Sequence, residues 1–447
     1  MNFISLEYLL IAPIICILFY IIPQKSRWVL LLCSSYFFYL YWNQWSVILL
    51  FGMTAFTFWA GNEIDKSNGR GWMILSAIIC IGSIVISRAI DMPPVGISFY
   101  AFQTLSYVID VYKGRVKAEK NFLFYMLHIS FFPQLVAGPI ERTENLLPQL
   151  HHLRGAGKDM IISGMQRILR GFFKKIVIAD FISIFVDVVY ENPAAGNGPA
   201  SVFATLLFSV QIYCDFSGYT DIAVGTARIL GIRLMENFDR PYCARDIQDF
   251  WRRWHISLTS WFQDYVYIPL GGNRDGFLRA CVNGMVIFLL SGIWHGTALT
   301  YLVWGGLHGF FIIVDKVLKK TNLKRYLPLY VSQITTYLLV CCTWIFFRAR
   351  TIGDAGLIIK SFTAGWNLDG LQQAGSLMGL SEQNLVHVLL CLMTLPVLER
   401  IPVEYETMRK NFLGNLQWIF LTFLLTALGW LDLFSRNAGS SFIYFQF

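Results

Sequence analysis

Long apolar runs with almost no charge recur along this chain, and Leu9 to Ile22, Trp28 to Tyr41, Val47 to Ala60, Trp72 to Ile86 and Val95 to Val111 fill most of its first quarter. In lipid, a backbone polar group must find its partner inside the protein, which makes helices of such runs. Composition agrees: 55% of the 447 residues are hydrophobic and 14% charged, where soluble globular chains carry roughly a quarter. The 14 Trp, 21 Tyr and 37 Phe suit a chain with two membrane–water interfaces. A net charge of +8 would suggest nucleic acid in a soluble protein. Here the basic residues cluster between apolar runs, as in cytoplasmic loops facing anionic headgroups, and no nucleic-acid partner is expected.

Lys25 and Arg27 follow the first run rather than precede it, so the run reads as a retained anchor and not a secretory signal. Loop charge alternates from there. Lys25 and Arg27, Lys66 and Arg70, then Lys113, Arg115, Lys117 and Lys120 mark one side, which places the N-terminus outside and gives five crossings before Lys113. The apolar stretch Phe131 to Ile140 is too short to cross and contains Pro133, Gly138 and Pro139. Such backbone survives at membrane depth only against protein or a cavity, so a re-entrant or interfacial segment is expected. Later candidates are Ile176 to Tyr190, Val202 to Cys214, Gly284 to Trp294, Leu299 to Val314, Tyr330 to Phe347, Leu385 to Leu398 and Leu413 to Trp430, with six arginines between Arg228 and Arg253 on the cytoplasmic side. About ten to twelve crossings are expected in one all-α polytopic domain, 1–447. Its parts are N-terminal helices (1–112), a catalytic core (113–325) and C-terminal helices with an aromatic tail (326–447).

Nine cysteines, mostly inside apolar runs and none in a C-x-x-C pair, read as free thiols, and no metal site is expected. Of seven histidines, two stand out. His295, in Trp294-His295-Gly296, ends an uncharged run, and an ionisable group at membrane depth is a functional candidate. With an ordinary pKa of ~6.5 and desolvation favouring the neutral ring, it can serve as general base for a hydroxyl. His255 lies in Trp251-Arg252-Arg253-Trp254-His255. Arginines beside indole rings either anchor a helix at the interface or hold the phosphates and base of a nucleotide-like donor. Asp215, at a span end, either lines a wet cavity or pairs with a nearby arginine.

Phe238 to Tyr242, Asp249 to Leu258, Tyr267-Ile268-Pro269-Leu270-Gly271-Gly272-Asn273-Arg274, Trp294-His295-Gly296 and Trp304-Gly305-Gly306-Leu307-His308-Gly309 together resemble the membrane-bound O-acyltransferase (MBOAT) family. The likeness is nearest to its bacterial branch of alginate and peptidoglycan O-acetylation and teichoic-acid D-alanyl transfer proteins. It extends to Ile97 to Tyr100, Gln103, Tyr107 and Asp110, Ala137 to Ile140, and Asp215 to Tyr219.

The resemblance implies helices ringing a tunnel in a cell (inner) membrane protein and transfer of an acyl group from a cytosolic donor to a hydroxyl outside. His295 matches the family's invariant histidine and His255 its second, more variable polar position. Trp251, Arg252, Arg253, Trp254, Asp215 and Trp294 are then candidates for substrate or donor binding. Acetyl-CoA is the expected donor, with an acyl carrier protein as the alternative for D-alanyl transfer, and no bound cofactor is expected. The C-terminal Phe442-Ile443-Tyr444-Phe445 resembles an aromatic motif of this branch. It suggests Tyr444 as an acyl relay, handing the group to an extracytoplasmic SGNH-type acetyltransferase; an interfacial aromatic belt is the plainer reading. A transporter or flippase is the reading from another class, disfavoured because internal repeats and paired intramembrane carboxylates are not evident.

Overall fold

The computed structural model describes residues 3, 5–42, 44–67, 69–89, 94–135, 138–321 and 328–400. Among these, nineteen α-helices and no strands are found, in two compact units interleaved along the chain. One unit comprises Met1–Phe172 and Tyr219–Glu236, the other Phe173–Gly218 and Asn237–Ile401.

The first unit opens with α1 (Leu6–Ile21), α2 (Arg27–Trp42), α3 (Gln44–Ser67), α4 (Arg70–Ala89) and α5 (Ile97–Tyr112). Short pieces follow: α6 (Phe122–Ser130), α7 (Phe132–Leu135), α8 (Thr143–His151) and α9 (Lys158–Phe172). The break between α6 and α7 falls in the stretch expected to be re-entrant, and side chains meet backbone groups on either side of α7. Gln103 Nε2 donates to the His128 carbonyl at 2.8 Å, Gln134 Nε2 to the Pro139 carbonyl at 3.0 Å, and the Phe132 amide to Ser35 Oγ at 3.0 Å. These groups are buried, so side chains meet their hydrogen-bonding needs. Arg167 and Asp221, both buried, pair at 2.9 Å, with Glu236 also on the guanidinium.

The second unit contains a π-helical turn (Phe173–Ala179), α10 (Asp180–Glu191) and the first part of α11 (Gly198–Ile229). It continues with α12 (Ile247–Arg253), α13 (Ile256–Phe262), α14 (Phe277–His295), α15 (Leu299–Lys320) and α16 (Leu329–Arg348). Two short helices, α17 (Ile352–Ser361) and α18 (Leu368–Leu377), precede α19 (Glu382–Arg400). Buried lysines here meet carboxylates. Lys175 reaches Asp180 and Asp215, each at 2.7 Å, and Lys174 reaches Glu399 at 2.7 Å. All nine cysteines are free thiols.

Among the described residues, six helices are long and apolar enough to cross a membrane: α3, α4, α11, α14, α15 and α16. The α18–α19 pair, bent by 85°, adds a seventh if it is counted as one span. Of the other runs read as crossings, Ile176 to Tyr190 falls on the π-helical turn and the 12-residue α10, and three fall on α1, α2 and α5, each 16 residues. At 1.5 Å per residue these reach about 24 Å, short of the ~30 Å hydrocarbon core. The run Leu413 to Trp430 lies outside the described residues. In α11, 78% of the apolar window is buried, against 22–44% in the other five, which explains how that helix carries Asp215 and Asp221.

Helices α14 and α15 form a hairpin packed backbone to backbone. A Cβ at Gly292 would strike the Tyr301 carbonyl oxygen, one at Gly305 the Phe288 carbonyl oxygen, and one at Gly309 the Met285 sulfur. Only glycine allows this approach, the small-residue packing of membrane helices.

Candidate active site

Two short helices position the stretch that holds Trp251, Arg252, Arg253, Trp254 and His255. Asp246 caps α12, its carboxylate accepting from the Asp249 amide at 2.8 Å, while Asp315 on α15 accepts from the Ile247 amide at 2.7 Å. Helix α12 is thereby fixed to the hairpin. The chain then turns at His255, which has φ 45° and ψ 53°, a left-handed conformation, and starts α13. Asn237 holds that turn from outside: its carbonyl accepts from the Ile256 amide at 2.9 Å and its Oδ1 from Ser257 Oγ at 2.6 Å.

The turn brings His255 beside the end of α14, where His295 is the last helical residue. Trp294 neighbours both histidines, its ring 6.3 Å from His255 and 4.6 Å from His295. The exposures are 1% for His255 and 4% for His295. Burial pushes the His255 pKa down to about 3, so its ring is neutral at physiological pH and keeps a lone pair. Rings of Trp304 at 5.0 Å and Phe347 at 5.2 Å close around His295.

The two arginines separate. Arg253 Nε donates to Asp249 Oδ1 at 3.0 Å, with Asp239 at 3.5 Å, and so belongs to the scaffold. Arg252 is exposed, has no ion-pair partner among the described residues, and lines a cavity of about 260 Å³. Gln263, Tyr267 and Lys316 give the cavity polarity; Trp251 and Phe288 give it apolar wall. It reaches Ser291 on α14, one helical turn before His295.

The remaining candidates divide in the same way. Trp251 is a cavity wall, whereas Trp254 is buried against Phe238, Phe250 and Trp344. Asp215 pairs with Lys175 and does not line the cavity. Tyr444 lies outside the described residues. The sequence alone assigns no site role to Lys316, Gln263 or Ser291, and names Tyr267 and His308 only within motifs; His308 is fully buried among Trp251, Trp304 and Phe250. The spacing of Trp304 and His308, four residues apart on one helix face, was the available signal.

Residues 115–347 match the model of the membrane-bound O-acyltransferase family. Among relatives, the chain is 36% identical over 395 residues to the Pseudomonas fluorescens protein named "Probable alginate O-acetylase AlgI", covering 84% of this chain and 78% of that one. To the Helicobacter pylori peptidoglycan O-acetyltransferase it is 30% identical over 482 residues, covering 93% and 91%. To the Bacillus subtilis teichoic acid D-alanyltransferase it is 29% identical over 264 residues, covering 56% and 66%. With that coverage, this multi-pass membrane protein belongs to the membrane-bound O-acyltransferase family and is an acyltransferase.

Proposed function

We propose that the protein O-acetylates an extracytoplasmic polysaccharide, an alginate-like exopolymer or peptidoglycan, from the cell (inner) membrane, with acetyl-CoA as donor. The contact of the buried His255 and His295 with one indole, Trp294, and the place of His295 one turn after Ser291 of the cavity that Arg252 also lines, together form the observation that carries this reading. Arg252 and Lys316 supply positive charge for donor phosphates, and the apolar wall suits the thioester arm. His295 takes the proton of the accepting hydroxyl; its oxygen bonds to the thioester carbonyl carbon, the C–S bond breaks, and the leaving thiolate is protonated in turn. His255, neutral and in contact with the same Trp294, is the proposed supporting group for that proton transfer.

Tyr444 is the proposed relay: its phenol accepts the acetyl group, which an extracytoplasmic SGNH-type acetyltransferase then passes to the polymer. D-Alanyl transfer from a carrier protein is supported by more distant relatives. Incubating the purified protein with labelled acetyl-CoA and with D-alanyl carrier protein separates the two donors. His295→Ala, at wild-type membrane level, is expected to lose at least about 100-fold in acetyl transfer, the scale of a lost general base. Unchanged polymer acetylation in that variant would reject the assignment.

A further inference from the structure

His308 occupies the middle of α15 with no exposed surface. Its Nδ1 lies 3.2 Å from Trp251 Nε1, and its Nε2 lies 2.9 Å from Thr343 Oγ1. Thr343 Oγ1 is in turn 2.7 Å from the Val340 carbonyl oxygen. An indole N–H can only donate, so Nδ1 must hold the lone pair and the His308 proton must be on Nε2. That proton goes to the Thr343 hydroxyl, whose own proton goes to Val340. Each proton in the chain has one place.

The acceptor at Nδ1 fixes the plane of the Trp251 indole, and that indole is wall to the cavity bearing Arg252, the next residue. Trp251 also packs on Phe288 at 5.0 Å and Trp304 at 5.8 Å, and Trp304 is 5.0 Å from both His308 and His295. A loosened Trp251 would therefore open the wall of the cavity. We propose that His308 is a positioning residue: locked as the Nε2–H tautomer, it aims Trp251 and so sets the acyl-donor cavity. This rests on the reading of that cavity as the donor site.

The test compares wild type, His308→Ala, His308→Asn, Trp251→Phe and the His308→Ala/Trp251→Phe double variant, with acetyl-CoA as probe. His308→Ala and Trp251→Phe should each raise donor KM about three- to tenfold, the effect of one lost hydrogen bond, with kcat little changed. The double variant should be no worse than either alone. His308→Asn, whose side-chain oxygen can accept at the Nδ1 position, should recover much of the loss and keeps the test open if alanine fails to fold. Nitrogen-15 spectra of the histidine side chains should show the Nε2–H tautomer, with the Nδ1 signal moving in Trp251→Phe. A fall in kcat at unchanged KM, additive effects, or an Nδ1 signal indifferent to Trp251→Phe would overturn the proposal. Arg252→Gln without effect on donor KM would instead overturn the cavity as donor site, and the Nδ1 signal still reads the His308–Trp251 pair by itself.

Discussion

At the scale of single residues, His255 combines a strained backbone with a candidate chemical role. A non-glycine side chain in the left-handed region costs about 1–2 kcal/mol, and Asn237 holds the turn in place. Asparagine tolerates that conformation and alanine does not. His255→Asn is therefore expected to melt close to wild type in detergent while its acetyl transfer falls, whereas His255→Ala melts lower by the equivalent of about 1 kcal/mol. Full activity in His255→Asn would remove the imidazole from the chemistry. The neighbouring arginines give a matched pair. Arg252→Gln should raise the acetyl-CoA KM about tenfold, as expected for a lost charge-assisted contact, while Arg253→Gln, which only disturbs the Asp249 and Asp239 pairs, should leave it almost unchanged. Titrating acetyl-CoA against both variants checks this, and equal effects would count against Arg252 as a donor contact.

At the scale of elements, the α14–α15 hairpin carries His295, His308 and much of the cavity wall, so its backbone spacing sets the site. Gly305→Ala would press a methyl against the Phe288 carbonyl, a backbone atom that cannot swing aside. Overpacking of this kind costs about 1–3 kcal/mol, so the variant should lose thermal stability in detergent. Gly306→Ala is the control, because its Cβ would meet only Leu289 Cδ2, at 3.8 Å. If both variants melt together with wild type, the close approach at Gly305 is not what holds the hairpin.

For the whole molecule, stability should depend on pH through buried groups outside the spanning helices. Burial holds His128 and His255 near 3, against 6.5 for a free ring. Between those values the unfolded chain binds more protons, so stability falls as pH drops from 6.5 toward 3. Glu141 opposes this: desolvation raises its pKa from 4.5 to about 7, so between those values the folded state binds more protons and stability falls as pH rises. Two histidines outweigh one carboxyl, and the melting temperature should climb from pH 5 to 6.5. Glu141→Gln should make that climb steeper; a flatter curve would contradict the buried, protonated carboxyl. By itself, the sequence determined membrane residence, the helical class, the break near Pro133 and the prominence of His255 and His295, because hydropathy, helix breakers and isolated polar residues are local properties that survive in one dimension. Only the tertiary structure decided which charges are consumed by pairing, as in Arg253 with Asp249 and Asp215 with Lys175, and which face a cavity, as in Arg252 and Lys316. It also decided that His308 is tied to Trp251. Partners 57 residues apart in sequence meet only when helices pack, and the cost of burying an unpaired group then selects who pairs with whom.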